Sequence, residues 1–375
     1  MNSLKILYIG ANGGTSRHRA LALQRLGHSV HILDTDALLP RGRLVGKWIF
    51  ETGGLFLERL AYAKFLDAIP AHIDFDLVHV NHGELVGAPL VIELKRRYGK
   101  VINYNCDDPF GTRDHRKWRL YLQAVPYYDL IIVVRECNVG EARDRGAQDV
   151  LFVFMTADEV AHAPRSITAR DRQTWVGEVV FVGTYMPERG PFMAELVSRG
   201  VPLSIRGNRW ERAGEWPLLR RYWRGPGIVE EDYAKAVQCA KICLGLLSKD
   251  NRDLHTTRSS EIPYLGGLFC ARRTAEHLAL YEEDREAVFW NDAQECAEKC
   301  MQLLENEPRR LRIAENGRQR CIRNATLNEP AMRSILERAL SGDESRSRAE
   351  VALARKRSFF AGGAGLSRDA GRASR

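Results

Sequence analysis

Arg258 and Glu261 stand three residues apart, and Asp253 lies eight residues before Glu261. On a helix, Arg258 and Glu261 share one face. A carboxylate in the first turns of a helix at a sheet edge can grip two vicinal hydroxyls, as on a ribose. A nearby arginine can grip a phosphate with its planar fork. Lys249 and Arg252, in the loop 248–252, add positive charge just upstream. Such charge-assisted contacts are roughly twice as strong as neutral ones. Taken together, these residues read as a site for a nucleoside diphosphate. Arg189 and Arg206 can also offset diphosphate charge; the plainer reading makes them surface salt-bridging arginines.

A second group of candidates follows the predicted strands of the first half. His82 comes just after 77–80, and Asp107-Asp108-Pro109 comes after 101–105. In open α/β sheets, groups just past the carboxyl ends of strands line the ligand crevice. There, Asp107 or Asp108 can act as general base on a sugar hydroxyl. The plainer alternatives are a buried hydrogen-bonded imidazole for His82 and a turn or helix-capping pair, with Pro109 at the first helical position, for the two aspartates. The turn 10–16 offers Gly13 and Gly14, whose exposed amides suit an anion at a helix N-terminus. Ser16, Arg17, His18 and Arg19 add donors beside it.

Positioning these groups requires a repeated strand–helix pattern. Strands are expected over 4–9, 30–33, 77–80, 101–105, 130–134 and 150–154, with a helix over 17–26. A second series is expected over 178–182, 203–205, 242–247, 268–271 and 287–290. This alternation predicts doubly wound parallel sheets. The first half is expected over 1–160 and the second over 175–328, with 157–174 as a polar, aperiodic linker. Helices over 293–304 and 308–323 should cover the second sheet, and a last helix over 329–341 should follow it. The Arg/Ser/Ala/Gly-rich tail 342–375 is expected to be disordered. Gly266 and Gly267 should end the helix that carries Glu261, since glycine takes the left-handed C-cap without steric cost. Residues 41–70 mix bulky apolar groups with bases. They read as a helix on the sheet, or as a membrane-surface element in which Trp48, Phe50 and Phe56 suit a lipid-linked acceptor.

The stretch 251–320 resembles in detail, and 1–330 in layout, the GT-B glycosyltransferases, in particular the group-1-like branch of spore-maturation-protein (CgeB-like) type. Arg258, Glu261, Gly266-Gly267, 287–290 and Asp292 carry the likeness, with Asp107-Asp108-Pro109, the Gly183-Thr184 turn, Arg189 and the run 205–210 in support. Asp253 and Glu261 have the spacing of the family's E-x7-E pair, with Asp in the first place. Ala271-Arg272-Arg273 departs from the family, which often has an acid after that strand. The resemblance implies two Rossmann-like domains facing a cleft and a final helix crossing back to the first. It implies a nucleoside-diphosphate sugar on the second domain, held at Gly183, Arg189, Lys249, Asp253, Arg258, Glu261 and Gly267, with Gly13 and Gly14 opposite. Glu261 would hold the ribose, and Arg258 with Lys249 or Arg189 the diphosphate. His82, Asp107 and Asp108 would flank the transferred sugar, and a glycan or lipid-linked acceptor in polysaccharide biosynthesis would receive it. No cofactor beyond the donor is implied. With no D-x-D flanked by a strand, metal is not expected in the transfer.

The chain has 375 residues and a formal net charge of +8. Half of that excess lies after Ser341, where eight bases face four acids. The folded body is therefore only mildly basic, which suits anionic substrates better than a duplex-binding surface. Eight cysteines include no C-x-x-C pair, so reduced buried thiols in a cytoplasmic protein are expected, with 41–70 the segment that would bring it to the inner face of the membrane. The turn 10–16 lacks the third glycine of a dinucleotide fingerprint, because Ser16 occupies that place. Two rivals share the composition: a nucleotide-sugar epimerase of the same architecture, and a non-enzymatic binding protein using the basic tail.

Overall fold

The structure is a computed structural model, and it describes residues 2–38, 42–114 and 116–341. Two parallel sheets form its frame. The first contains β1 (Lys5–Gly10), β2 (Ser29–Asp34), β3 (Leu77–Asn81), β4 (Val101–Asn105), β5 (Leu130–Val133) and β6 (Val150–Phe152), in the order β2-β1-β3-β4-β5-β6. The second contains β7 (Gly177–Val182), β8 (Leu203–Arg206), β9 (Ala240–Gly245), β10 (Phe269–Arg272) and β11 (Val288–Trp290), in the order β11-β10-β9-β7-β8. Every residue of β3, β4 and β5 is buried. Helices on both faces of a parallel sheet demand such near-continuous apolar runs.

Each sheet reverses its winding once, between β1 and β3 in the first and between β7 and β9 in the second. Such switch points splay the following loops apart and open a crevice at the strand ends. The candidate residues fall on those loops: Gly13 and Gly14 after β1, His82 after β3, Arg189 after β7, and Lys249 and Asp253 after β9.

Apolar clusters cover both faces of each sheet. One of them joins Ile6, Tyr8 and Leu23 of the first half to Met332, Ile335, Leu336 and Ala339 of the helix Asn328–Leu340. The last helix therefore crosses back, as expected. Arg338 fixes it with two 2.9 Å hydrogen bonds to the Asp149 carboxylate. Residues 342–375, expected to be disordered, lie outside the described residues.

Two expectations need correction. The segment 157–174 is not wholly irregular, because Ala169–Trp175 is helical. A capping box starts it: Thr168 Oγ1 accepts from the Asp171 amide, and the Asp171 carboxylate accepts from the Thr168 amide. Residues 41–70 form two helices, Arg43–Thr52 and Glu58–Ala68, broken at Gly53-Gly54. Both glycines have positive φ, and a Cβ on Gly53 would lie 2.2 Å from the Arg116 carbonyl oxygen.

Candidate functional site

Arg189 holds the centre of the second sheet's crevice. It opens the helix Arg189–Ser198, is 8% exposed, and reaches across the β7/β9 switch point. Its Nη1 donates to Thr184 O at 2.7 Å, and its Nη2 to Leu246 O and Leu247 O at 3.3 and 3.4 Å. Among the described residues its Nε has no partner, and no carboxylate pairs with the guanidinium. Burial pushes its pKa down, opposed by the more distant charges of Glu188 and Asp253. A buried cation without a counter-ion is costly unless an anion arrives to neutralise it. Arg189 lines a cavity of about 760 Å³ with Lys249, Arg272, Arg273, Phe192 and Trp290. Lys249 is exposed, and its ammonium makes no ion pair among the described residues.

The first half has a counterpart in Arg19, which is 3% exposed. Its Nε donates to Asn81 Oδ1 at 3.0 Å, bridging the β1/β3 switch point, and its guanidinium stacks 4.4 Å above the Tyr104 ring. It too lacks a carboxylate partner among the described residues. Arg19 lines a second cavity, of about 190 Å³, with Cys106 and Asp107 from its own half and Asp253, Thr256 and Thr257 from the other. A third cavity, of about 250 Å³, holds His82, Asp107, Glu84 and Lys117. Asp253 borders the first two spaces and Asp107 the last two, so the three follow one another from the second half into the first.

Arg258 and Glu261 occupy the short helix Arg258–Tyr264, which ends as expected at Gly266 with φ +84°. They face the junction but pair with each other: Arg258 Nη1 donates to Glu261 Oε2. The Arg258 guanidinium lies 4.1 Å above the Tyr233 ring, and His162 Nε2 stands 3.5 Å from Glu261 Oε1. His162 in turn meets His18 of the first half edge-to-face at 5.6 Å. Burial would raise the Glu261 pKa, but Arg258 and His162 overcome it and hold the carboxyl below its ordinary value. The pair is thus a preformed ion pair in contact with the interdomain surface.

Other expected residues separate into those at the cavities and those spent on structure. Gly13 and Gly14 are exposed with open space beyond them, where an added Cβ would meet nothing within 4 Å. Asp107 is half-buried, 3.8 Å from Arg113 and 3.7 Å from Lys117. Asp108 is different. It is 1% exposed and accepts from Gly111 N, Asn138 Nδ2 and both Nε and Nη2 of Arg252. Burial would raise its pKa, but Arg252 and Asn138 hold it down. With its oxygens so occupied, it is a fixed ionic anchor rather than a free base. Asp253 is held by Arg135 Nη2 and by Asn251 Nδ2 at 2.9 Å. Arg252, expected near phosphate, is likewise spent on Asp108 and Glu141. Gly183 and Gly267 are packing glycines: a Cβ on Gly183 would strike the Phe181 ring at 2.6 Å, and one on Gly267 would strike Val237 at 2.7 Å. Arg206 stacks 4.6 Å above Trp175 in the linker helix.

His82 stands with its Nε2 2.7 Å from Cys106 Sγ. Burial would lower the imidazole pKa, but the Cys106 sulfur raises it overall; the thiol is lowered in return, against burial, by His82 and Arg19. The pairing was within reach of the sequence, since both residues follow the ends of adjacent strands, with Asn81 in register with Tyr104. Arg135 also follows a strand end, that of β5, whereas Thr256 and Thr257 carried no such signal. Cys270, Cys296 and Cys300 also converge, with sulfurs within 4.8 Å of one another. No histidine, carboxylate or fourth thiol joins them among the described residues, and they lie in an apolar core cluster and line none of the three cavities.

Residues 189–336 match a family model described as Glycosyl transferase-like. No curated protein matches the chain. Among solved structures, the chain is similar to sucrose-phosphate synthase from Thermosynechococcus elongatus, at 15% identity and a TM-score of 0.61, over 94% of this chain and 100% of that one. It is similar to HepE from Anabaena in complex with UDP-glucose, at 12% identity and a TM-score of 0.58, over 89% and 99% of the two chains. AviGT4, a glycosyltransferase involved in avilamycin A biosynthesis, matches at 14% identity and a TM-score of 0.55, over 90% and 97%. The two-sheet architecture is that of the GT-B glycosyltransferase fold.

Proposed function

We propose that the chain is a glycosyltransferase that moves a sugar from a nucleoside-diphosphate sugar to a glycan or lipid-linked acceptor. The observation that carries this reading is Arg189, a buried guanidinium with a free Nε and no counter-ion, at the switch point of the second sheet. A diphosphate supplies the missing negative charge, and Lys249 adds a second cation at the mouth. The similar HepE structure is a complex with UDP-glucose, which makes UDP the first nucleotide to try.

In this reading residues 175–328 take the donor and residues 1–160 the acceptor. Glu261 accepts the ribose hydroxyls after Arg258 swings off it toward phosphate. The sugar then lies in the second cavity, between Arg19 and Thr257. Asp107, shared with the third cavity, takes the proton of the acceptor hydroxyl as the new glycosidic bond forms. The C1–O bond to the diphosphate breaks, and Arg189 and Lys249 stabilise the leaving charge from fixed positions. No metal and no cofactor beyond the donor enters this scheme. His82 borders the same space, with Cys106 holding its ring. The spore-maturation-type branch and a role in polysaccharide biosynthesis belong to the same proposal.

Calorimetric titration of the parent protein and of Arg189→Met with UDP and with uridine tests it. Losing contacts to charged oxygens should cost Arg189→Met about 2 kcal/mol, or roughly thirtyfold in UDP affinity. Uridine affinity should stay within about threefold. Failure of the parent to bind UDP, GDP or ADP would reject the donor site.

A further inference from the structure

Among the described residues, eighteen large hydrophobic side chains are exposed, and six of them fall between Leu44 and Leu60. Leu44 is 84% exposed and Phe56 83%, the two highest values among these side chains. Leu44, Val45 and Trp48 recur at i, i+1 and i+4, so they share one outward face of the helix Arg43–Thr52. That face is apolar where a water-facing helix would be polar. Trp48 Nε1 donates to Leu55 O at 3.0 Å, which ties the loop carrying Phe56 to the same face. The Gly53-Gly54 bend makes this possible, and it is seated on the Arg116 carbonyl and the Leu85 side chain.

The segment carries one sign of charge in excess along its sequence. Residues 41–64 hold five bases, Arg41, Arg43, Lys47, Arg59 and Lys64, against two acids, Glu51 and Glu58. Protruding apolar groups in a basic segment, with Lys47, Arg59 and Lys64 exposed, suit an anionic bilayer surface: the apolar groups enter the headgroup boundary and the bases meet lipid phosphates. Placement supports the same occupant. Leu85, on which the bend rests, lines the third cavity with His82 and Asp107. A surface touching Leu44 and Phe56 therefore lies against the half that receives the acceptor.

We propose that this protein docks on anionic membranes through the outward face of 44–60, and that its acceptor is presented from the bilayer. The second clause rests on the transferase reading; the first does not.

Cosedimentation of the full chain with vesicles tests the docking. Phosphatidylcholine alone should retain little protein. Adding phosphatidylglycerol should raise binding at least about tenfold, and salt should reverse it. The neutral double change Leu44→Ser/Phe56→Ser should lower binding to the anionic vesicles at least about tenfold. Leu311→Ser, at another exposed leucine, should leave it unchanged. Equal binding by the double variant would overturn the assignment of the face, as it would if the basic tail alone carried binding. A dimer in light scattering that the double change dissolves would make a second copy the occupant and overturn it as well. Nucleotide titration of the same variants keeps the two readings apart: the double variant should bind nucleotide as the parent does, whether or not it binds vesicles.

Discussion

Asp107 and Asp108 are adjacent in sequence and opposite in circumstance, and that difference decides what each can do. Asp108 accepts four hydrogen bonds and is nearly sealed from solvent. Asp107 borders two cavities, and its nearest cations stand 3.7 and 3.8 Å away. Asp107→Asn should therefore abolish sugar transfer while nucleotide affinity and melting temperature stay near parental values. Asp108→Asn should do the reverse, costing about 1–3 kcal/mol of stability through the contacts it weakens. Urea melts and transfer assays on both variants check this; loss of transfer in Asp108→Asn alone would exchange their roles. The sign with pH follows. Because the folded-state pKa of Asp108 is depressed, its contribution is present above the ordinary aspartate value near 3.8 and is lost as pH falls through the lower folded value.

At the scale of elements, β3 carries a liability in its middle. His79 is fully buried between Tyr8 and Tyr104, with neither ring nitrogen hydrogen-bonded. Burial, helped by Arg19, pushes its pKa down to about 3 from an ordinary 6.5. A depressed histidine is neutral in the folded chain but protonates in the unfolded one. Stability is thus complete above about pH 6.5 and falls as acid is added, by about 2 kcal/mol at pH 5. His79→Phe keeps a ring there and removes the titration. Its urea midpoint should shift less between pH 7 and pH 5 than the parent's; parallel shifts would show that His79 is not the sensor. The sequence conveyed β3 and β4 well, because Leu77, Val78 and Val80 in one and Val101, Ile102 and Tyr104 in the other mark buried strands despite the polar residues between them, and 101–105 has the same bounds in both readings. It conveyed β9 less well. The apolar run continues through Leu246 and Leu247, while pairing stops at Gly245. The helix Ala169–Trp175 escaped notice because its start rests on Thr168 and Asp171 rather than on an apolar stripe. Arg258 and Glu261 were legible as neighbours on one helix; that they neutralise each other depends on Tyr233 and His162, which are distant in sequence.

At the scale of the whole molecule, two ionic groups among the described residues join the halves, and a third ties the first helix to the segment leaving the first half and to the returning helix. Arg252 links the loop after β9 to Asp108 and Glu141; Arg135 links the end of β5 to Asp253 and to Asn251 O at 2.7 Å; Arg25 links the first helix to Asp158, Glu159 and Glu329. Only the Arg252 group joins the two sides next to the cavities through an exposed arginine: its side chain is 38% exposed, whereas that of Arg135 is 3% exposed. Exposed ion pairs are weak and screened by salt, so this group can open without unfolding either sheet. A donor reaching Arg189 and an acceptor reaching Asp107 both need that gap to open and close. Arg252→Ala should therefore enlarge the radius of gyration in solution scattering, and high salt should move the parent the same way. Nucleotide affinity should change less than about threefold, because Arg252 is spent on carboxylates rather than kept for phosphate. Scattering curves that coincide for parent and variant would mean that Arg135, Arg25 and the returning helix hold the halves together without it.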